Sequence, residues 1–194
     1  MNNYPYIIAS LPDYVLDFEQ KDCDYRSVRD SIYELCEPLD RRMIEWLEYG
    51  FNDDNLTTHF YRTCRKCRNE FIRQYFDFDH KVRTEKVAFL KKEPTGEYFE
   101  EKVALLKIFE NRNILERERE LDMLRWNKIS DIVVFDVLDF NIILAFLAKA
   151  NIIARWNKLD RASGEKLFRQ FVDEVNETFN ESKNKINIWK KQQV

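Results

Sequence analysis

The sequence predicts an all-α protein, a multi-helix bundle of about six to eight helices preceded by a short extended N-terminal arm. Three observations carry that prediction. Only three Gly and four Pro occur in 194 residues, where average usage of the two together is roughly 12%; few turn residues mean few, long elements. Apolar residues recur at helical spacing: Leu56, Phe60, Cys64, Cys67, Phe71, Tyr75 and Phe78 are separated by 4, 4, 3, 4, 4 and 3 positions. Hydrophobic residues make up 44% of the chain, enough for a packed core despite a charged fraction of 35%.

Each element follows from its residues. Pro5 and Pro12 discourage helix, and Tyr6-Ile7-Ile8 favours extended structure, so residues 2–13 are expected as an arm. A first helix is expected over 25–36, with Val28, Ile32, Leu35 and Cys36 on one side. Pro38 suits the opening of a second helix, which runs to Tyr49, buries Leu39, Met43, Trp46 and Leu47, and stops at Gly50. The capping residues Asn52-Asp53-Asp54-Asn55 are expected to open a long helix reaching Asp79. Residues 80–95 fit either an extension of that helix or a short separate one. Glu93-Pro94-Thr95-Gly96 is the clearest loop. A second long helix is expected over 97–127, interrupted on its apolar side by the solvated, self-paired run Glu116-Arg117-Glu118-Arg119-Glu120. Residues 135–155 are apolar nearly all round and are expected to be buried by several neighbours. Ala162-Ser163-Gly164 makes a break, and an amphipathic helix follows over 165–179. The tail from Asn180 to Val194 reads as a short docking helix or a frayed end. The whole is one helical domain, with the Glu93–Gly96 loop offering a division into subdomains 1–92 and 97–194.

Charge and composition exclude several classes. The formal net charge is −3, so no global basic field marks a nucleic-acid binder. Gly50, Gly96 and Gly164 are scattered, and phosphate-cradling loops need clustered glycines. The start Met1–Tyr6 lacks a basic leader region, so no secretory signal is expected. The most apolar stretch is cut by Asp136, Asp139, Asn141, Lys149 and Asn151, and its longest clean run, Ile142–Ala148, is far short of the ~20 residues a bilayer needs. Membrane contact is therefore expected only through partners, and four cysteines without a leader suggest reduced thiols in the cytoplasm.

Candidate chemistry is sparse. Cys64 and Cys67 have CxxC spacing, yet both fall on the apolar stripe, where they serve as small hydrophobes; a metal or redox site would want a second pair. His59 lies off the stripe, and His80 is expected at a helix end, where a cation suits the dipole. Arg62, Arg65, Lys66 and Arg73 share the polar side of the expected 52–79 helix. They form either a solvated face or a contact for an acidic protein, with nucleic acid disfavoured. No nucleophile-elbow, zincin or paired Cys–His pattern is present, so no enzyme, cofactor, metal or small-molecule substrate is expected. One internal echo links Asp53-x-Asn55-Leu56-x-x-x-Phe60 to Asp139-x-Asn141-Ile142-x-x-x-Phe146. Asp53, Asn55, Asp139 and Asn141 are thereby expected as helix-start caps.

Four segments carry a family resemblance: Tyr4-x-Tyr6-Ile7-Ile8-Ala9-Ser10-Leu11-Pro12; Asp53-Asp54-Asn55-Leu56; Leu124-Arg125-Trp126-Asn127; and Ile142 to Trp156 followed by Lys158-Leu159-Asp160. Together they resemble a small uncharacterised bacterial family encoded within V-type ATP synthase operons. The acid-Asn-aliphatic helix starts are also similar to those of the C subunit of these rotary ATPases, called d in vacuolar enzymes. The resemblance implies an all-helical, non-catalytic subunit or accessory factor, cytoplasmic and held at the inner membrane through a complex. Its implied partners are the central stalk and the rotor ring, between which it would couple or scaffold. The chain is shorter than a three-unit C subunit, and only two candidate repeats are visible. The alternative expectation is a helical adaptor that binds acidic proteins or nucleic acid through the Arg62–Arg73 face.

Overall fold

A computed structural model describes residues 3–18, 23–93, 95–159, 163–176 and 178, and every regular element among them is helical. Met1–Trp156 and Asn157–Val194 form two compact units. The first carries α1 (Tyr4–Ser10), α2 (Tyr25–Leu35), α3 (Pro38–Tyr49), a 3-10 turn (Asp53–Asn55), α4 (Thr58–Cys64), α5 (Glu70–Lys91), α6 (Lys102–Glu110), α7 (Ile114–Ile132) and α8 (Phe140–Asn157). In the second, residues 163–176 are helical, and the side chains of Leu167, Phe168, Phe171, Val172 and Val175 are exposed. The expectations for Pro94 and for the tail 180–194 lie outside the described residues.

Several differences from the sequence reading come from single capping residues inside an unbroken apolar pattern. The arm is helical over Tyr4–Ser10 because Pro5 sits in the first turn, where its missing N–H is not needed; Ile7 is thereby buried. The expected 52–79 helix is three elements. The Asn52 side chain accepts from the Asp54 N–H, Thr57 caps α4 by accepting from Phe60, and Asn69 caps α5 by accepting from Ile72 at 2.9 Å. α5 then runs on to Lys91, so His80 lies within it, edge-on to the Tyr61 ring at 4.6 Å. The expected 97–127 helix is divided at Asn111-Arg112-Asn113. Asn113 accepts from the Leu115 and Glu116 N–H groups and starts α7. α8 starts at Phe140, leaving Phe135 in a loop.

Two apolar clusters fill the first unit. One joins Ile7, Ile44, Leu47, Phe71, Ile72, Ile129, Ile143, Leu144 and Leu147 among others. The other joins Phe78 and Val82 of α5 to Phe99, Leu105, Ile108, Phe109 and Leu121. α5 and α7 contribute to both. The second cluster draws residues from both sides of positions 93–96, Phe78 and Val82 before them and Phe99 to Leu121 after. As expected, α8 is enclosed on nearly every side, with ten buried residues from Phe140 to Trp156.

Gly50 does end α3, but its φ of −77° is ordinary helical backbone. Glycine is needed there for space, because a Cβ would lie 2.2 Å from Phe76 Cζ.

Candidate functional site

A solvent-open cavity of about 180 Å³ lies between the two apolar clusters, walled by Phe76, Val82 and Leu121 and floored by charged groups. Two ion-pair hubs build it. In the first, Asp79 of α5 accepts from Tyr61 Oη at 2.7 Å and from Arg83 Nε at 2.8 Å. Arg83 reaches on to Asp53 at 2.7 Å. The 3-10 turn, α4 and α5 are thus fastened together. Burial, with the Asp79 charge and hydrogen bond added to it, raises the Tyr61 hydroxyl far above its ordinary range.

The second hub centres on Asp122 of α7, which is 1% exposed. Its Oδ1 accepts from Arg125 at 2.9 Å, and its Oδ2 accepts from Trp156 Nε1 at 2.7 Å and from the Arg155 guanidinium. Arg155 also lies 4.0 Å from Glu118. Burial alone would lower the Arg125 pKa, but the charges of Asp122 and Asp79 outweigh it and the net shift is upward. α7 and α8 are therefore joined by a buried carboxylate whose oxygens are satisfied on both sides.

A third hub lies outside the cavity. Glu85 is 3% exposed and sits 2.9 Å from Lys102 Nζ. The same ammonium donates to Thr95 O, Thr95 Oγ1 and Glu97 O at 2.7–2.8 Å, and the Thr95 hydroxyl donates to Glu85. One lysine thus fastens the 95–97 segment to α5 and α6.

The residues singled out by sequence are dispersed. Asp139 is a cap at α8, accepting from the Asn141 N–H at 2.8 Å. Asn141 instead uses its side-chain oxygen to accept from Asn69 Nδ2 at 2.9 Å, which ties the start of α8 to the start of α5. Asp53 caps no long helix and serves the first hub. Asn55 donates to the Tyr49 carbonyl at 2.8 Å. The two echoed segments are structurally unlike, one a 3-10 turn and one the start of an 18-residue helix. Replacing Asp139 by Ala is expected to cost about 1 kcal/mol through loss of the cap, measured by urea denaturation; an unchanged midpoint would rule the cap out.

The basic strip is broken by the turn at 65–69. Arg62 lies in the last turn of α4, Arg65 and Lys66 lie in the following turn, and Arg73 belongs to α5. Arg65 Nε is 3.5 Å from Asp77. Arg73 donates to the Cys67 carbonyl at 3.3 Å and lies 4.0 Å from Glu70. The four cations therefore do not share one helical face.

Cys64 packs in the main apolar cluster and Cys67 lies at its edge, against Met43. Among the described residues no group of three His, Cys, Asp or Glu could hold a metal ion. Burial pushes the Cys64 thiol up to about 12, with Cys67 adding to it, and pushes Cys36 up to about 11. Folding thus favours the protonated thiols. Their contribution is complete below the ordinary thiol value near 9 and is lost as pH climbs to about 12. At pH 8 both thiols are expected to resist iodoacetamide in the folded chain and to react in urea. Equal labelling in both states would contradict their burial.

Sequence reasoning missed Asp122, Arg125 and Arg155. The one available signal was an acid one helical turn before Arg125 and Trp126 on α7.

Among the described residues no helix is long and apolar enough to cross a membrane. A family model described as "Protein of unknown function (DUF2764)" matches residues 94–179, a stretch that includes α6, α7 and α8. No curated protein and no solved structure matches the chain.

Proposed function

We propose that the chain is a non-catalytic helical subunit or accessory factor of a V-type ATP synthase, coupling or scaffolding between the central stalk and the membrane rotor. One observation carries the reading. The segments Leu124–Asn127 and Ile142–Trp156, through which the sequence resembles that operon family, supply Arg125, Arg155 and Trp156, the three partners of buried Asp122. Of these, Arg155 and Trp156 lock α8 to Asp122 of α7, and Arg125 completes the hub from α7 itself. Fully satisfied buried networks rigidify the elements they join, and a piece that transmits force between two sectors needs such stiffness. Arg83 with Asp53, and Arg155 with Glu118 and Asp122, pair across elements of the cavity, a use that fits a frame better than a catalyst.

The test is energy coupling in membranes. In inverted vesicles from cells lacking the chain, ATP-driven ion uptake is expected to fall several-fold and to return when the gene is restored. Unchanged uptake would sink the proposal. Salt-sensitive binding of DNA or RNA, lost on replacing Arg62, Arg65, Lys66 and Arg73, would favour the helical adaptor instead.

A further inference from the structure

The loop between α7 and α8 is built of residues that the sequence pattern places in a core, yet it faces water. Phe135 is 94% exposed and Val137 80%, with Val134 and Leu138 also exposed. The loop is hydrogen-bonded to the end of α7, Val134 N–H to the Asp131 carbonyl at 3.4 Å, and within itself, Asp136 N–H to the Val133 carbonyl at 3.1 Å. Asp139 then fastens it to α8. Leu138 has a φ of 54°, a left-handed conformation that suits Gly or Asn and strains a branched side chain. Two local costs, strain and exposed apolar surface, thus fall on one seven-residue loop. Polar residues with a Gly at 138 would remove both costs.

The charge around the loop says what covers it. Asp131, Asp136 and Asp139 flank the apolar residues, and the sequence holds no Lys or Arg between Lys128 and Lys149. Lys128 itself is engaged by Glu101 at 2.6 Å. An acidic rim is repelled by an anionic bilayer and attracted by a basic protein surface. We propose that loop 133–139 is a docking anchor that seats Phe135, flanked by Val134, Val137 and Leu138, in an apolar pocket bordered by Lys or Arg on a protein partner. An aromatic centre inside a charged rim is the arrangement in which a few residues dominate binding. The inference does not depend on the partner being a rotary ATPase.

The full chain carrying Phe135→p-benzoylphenylalanine is irradiated in the source cells, and crosslinked protein is identified by mass spectrometry. The identified protein is then purified and titrated against the chain by calorimetry. Phe135→Ser is expected to weaken binding at least about tenfold with unchanged thermal melting. Asp131→Lys and Asp136→Lys are expected to weaken it several-fold, less so in high salt. Any of four results overturns the proposal: no crosslinked protein, an affinity untouched by Phe135→Ser, a crosslink only to a second copy, or Phe135-dependent sedimentation with phosphatidylglycerol–phosphatidylethanolamine vesicles. A crosslinked, Phe135-dependent partner outside the ATP synthase supports the anchor and counts against the function proposed above.

Discussion

Replacing Asp122 by Ala is expected to destabilise the protein by about 3–5 kcal/mol, the range found when one partner of a buried ion pair is removed. The carboxylate holds Arg125, Arg155 and the Trp156 indole at once; on its deletion Arg155 keeps Glu118 at 4.0 Å, while Arg125 and the indole lose this acceptor. Arg125 bears most of the cost, because its guanidinium is largely buried while that of Arg155 is nearly half exposed. At roughly 2–4 °C per kcal/mol for a chain of this length, the melting temperature should fall by about 10 °C. Asp122→Asn keeps the shape and one acceptor and should cost less than half as much. Urea midpoints with an unchanged slope measure both. An Ala variant within about 0.5 kcal/mol of the parent, the range of ordinary surface substitutions, would show that the hub does not hold α7 and α8 together.

Gly50→Ala is expected to cost about 3 kcal/mol, the upper part of the range for overpacking. The added Cβ would lie 2.2 and 2.3 Å from two Phe76 ring atoms and 2.9 Å from Phe60 Cζ. Phe76 cannot retreat easily, being packed edge-on against Phe60 at 4.8 Å and Tyr75 at 5.1 Å. Since φ at Gly50 is −77°, Ala is acceptable to the backbone and the whole effect is steric. Shrinking the ring must therefore relieve it. In a double-mutant cycle Phe76→Leu should recover at least about 1 kcal/mol of the Gly50→Ala loss, the size of coupling expected of residues in contact. Strict additivity would place the cause in the backbone instead.

Much of the helical frame was legible in the residues. Pro38 opens α3 and Gly50 ends it, Asp139 starts α8, and the stripe from Leu56 to Phe78 is buried or half-buried throughout. The breaks in that stripe were hidden because the apolar spacing continues across them. Thr57, Asn69 and Asn113 each restart a helix through one capping side chain, a signal with no periodicity. The charged cavity was hidden for a different reason. Arg155 and Trp156 lie 33 and 34 positions from Asp122, and no local pattern in the chain foretells such a meeting. Glu118 belongs to the run expected to be solvated, yet it lines the cavity beside Arg155. At Phe135 apolar composition pointed to burial, and the loop exposes it. That conflict between local pattern and fold is where function is expected to lie.

The central claim is that the chain works as a fixed, non-catalytic part of a V-type ATP synthase, stiffened by the Asp122 hub. The direct measurement is purification of that enzyme from native membranes of the source organism through a tag on its catalytic subunit, followed by quantitative mass spectrometry. The account predicts that this chain is present in a constant ratio to the central-stalk subunits and is depleted when Asp122→Ala replaces the native residue. Recovery of the intact rotary enzyme without this chain would contradict it.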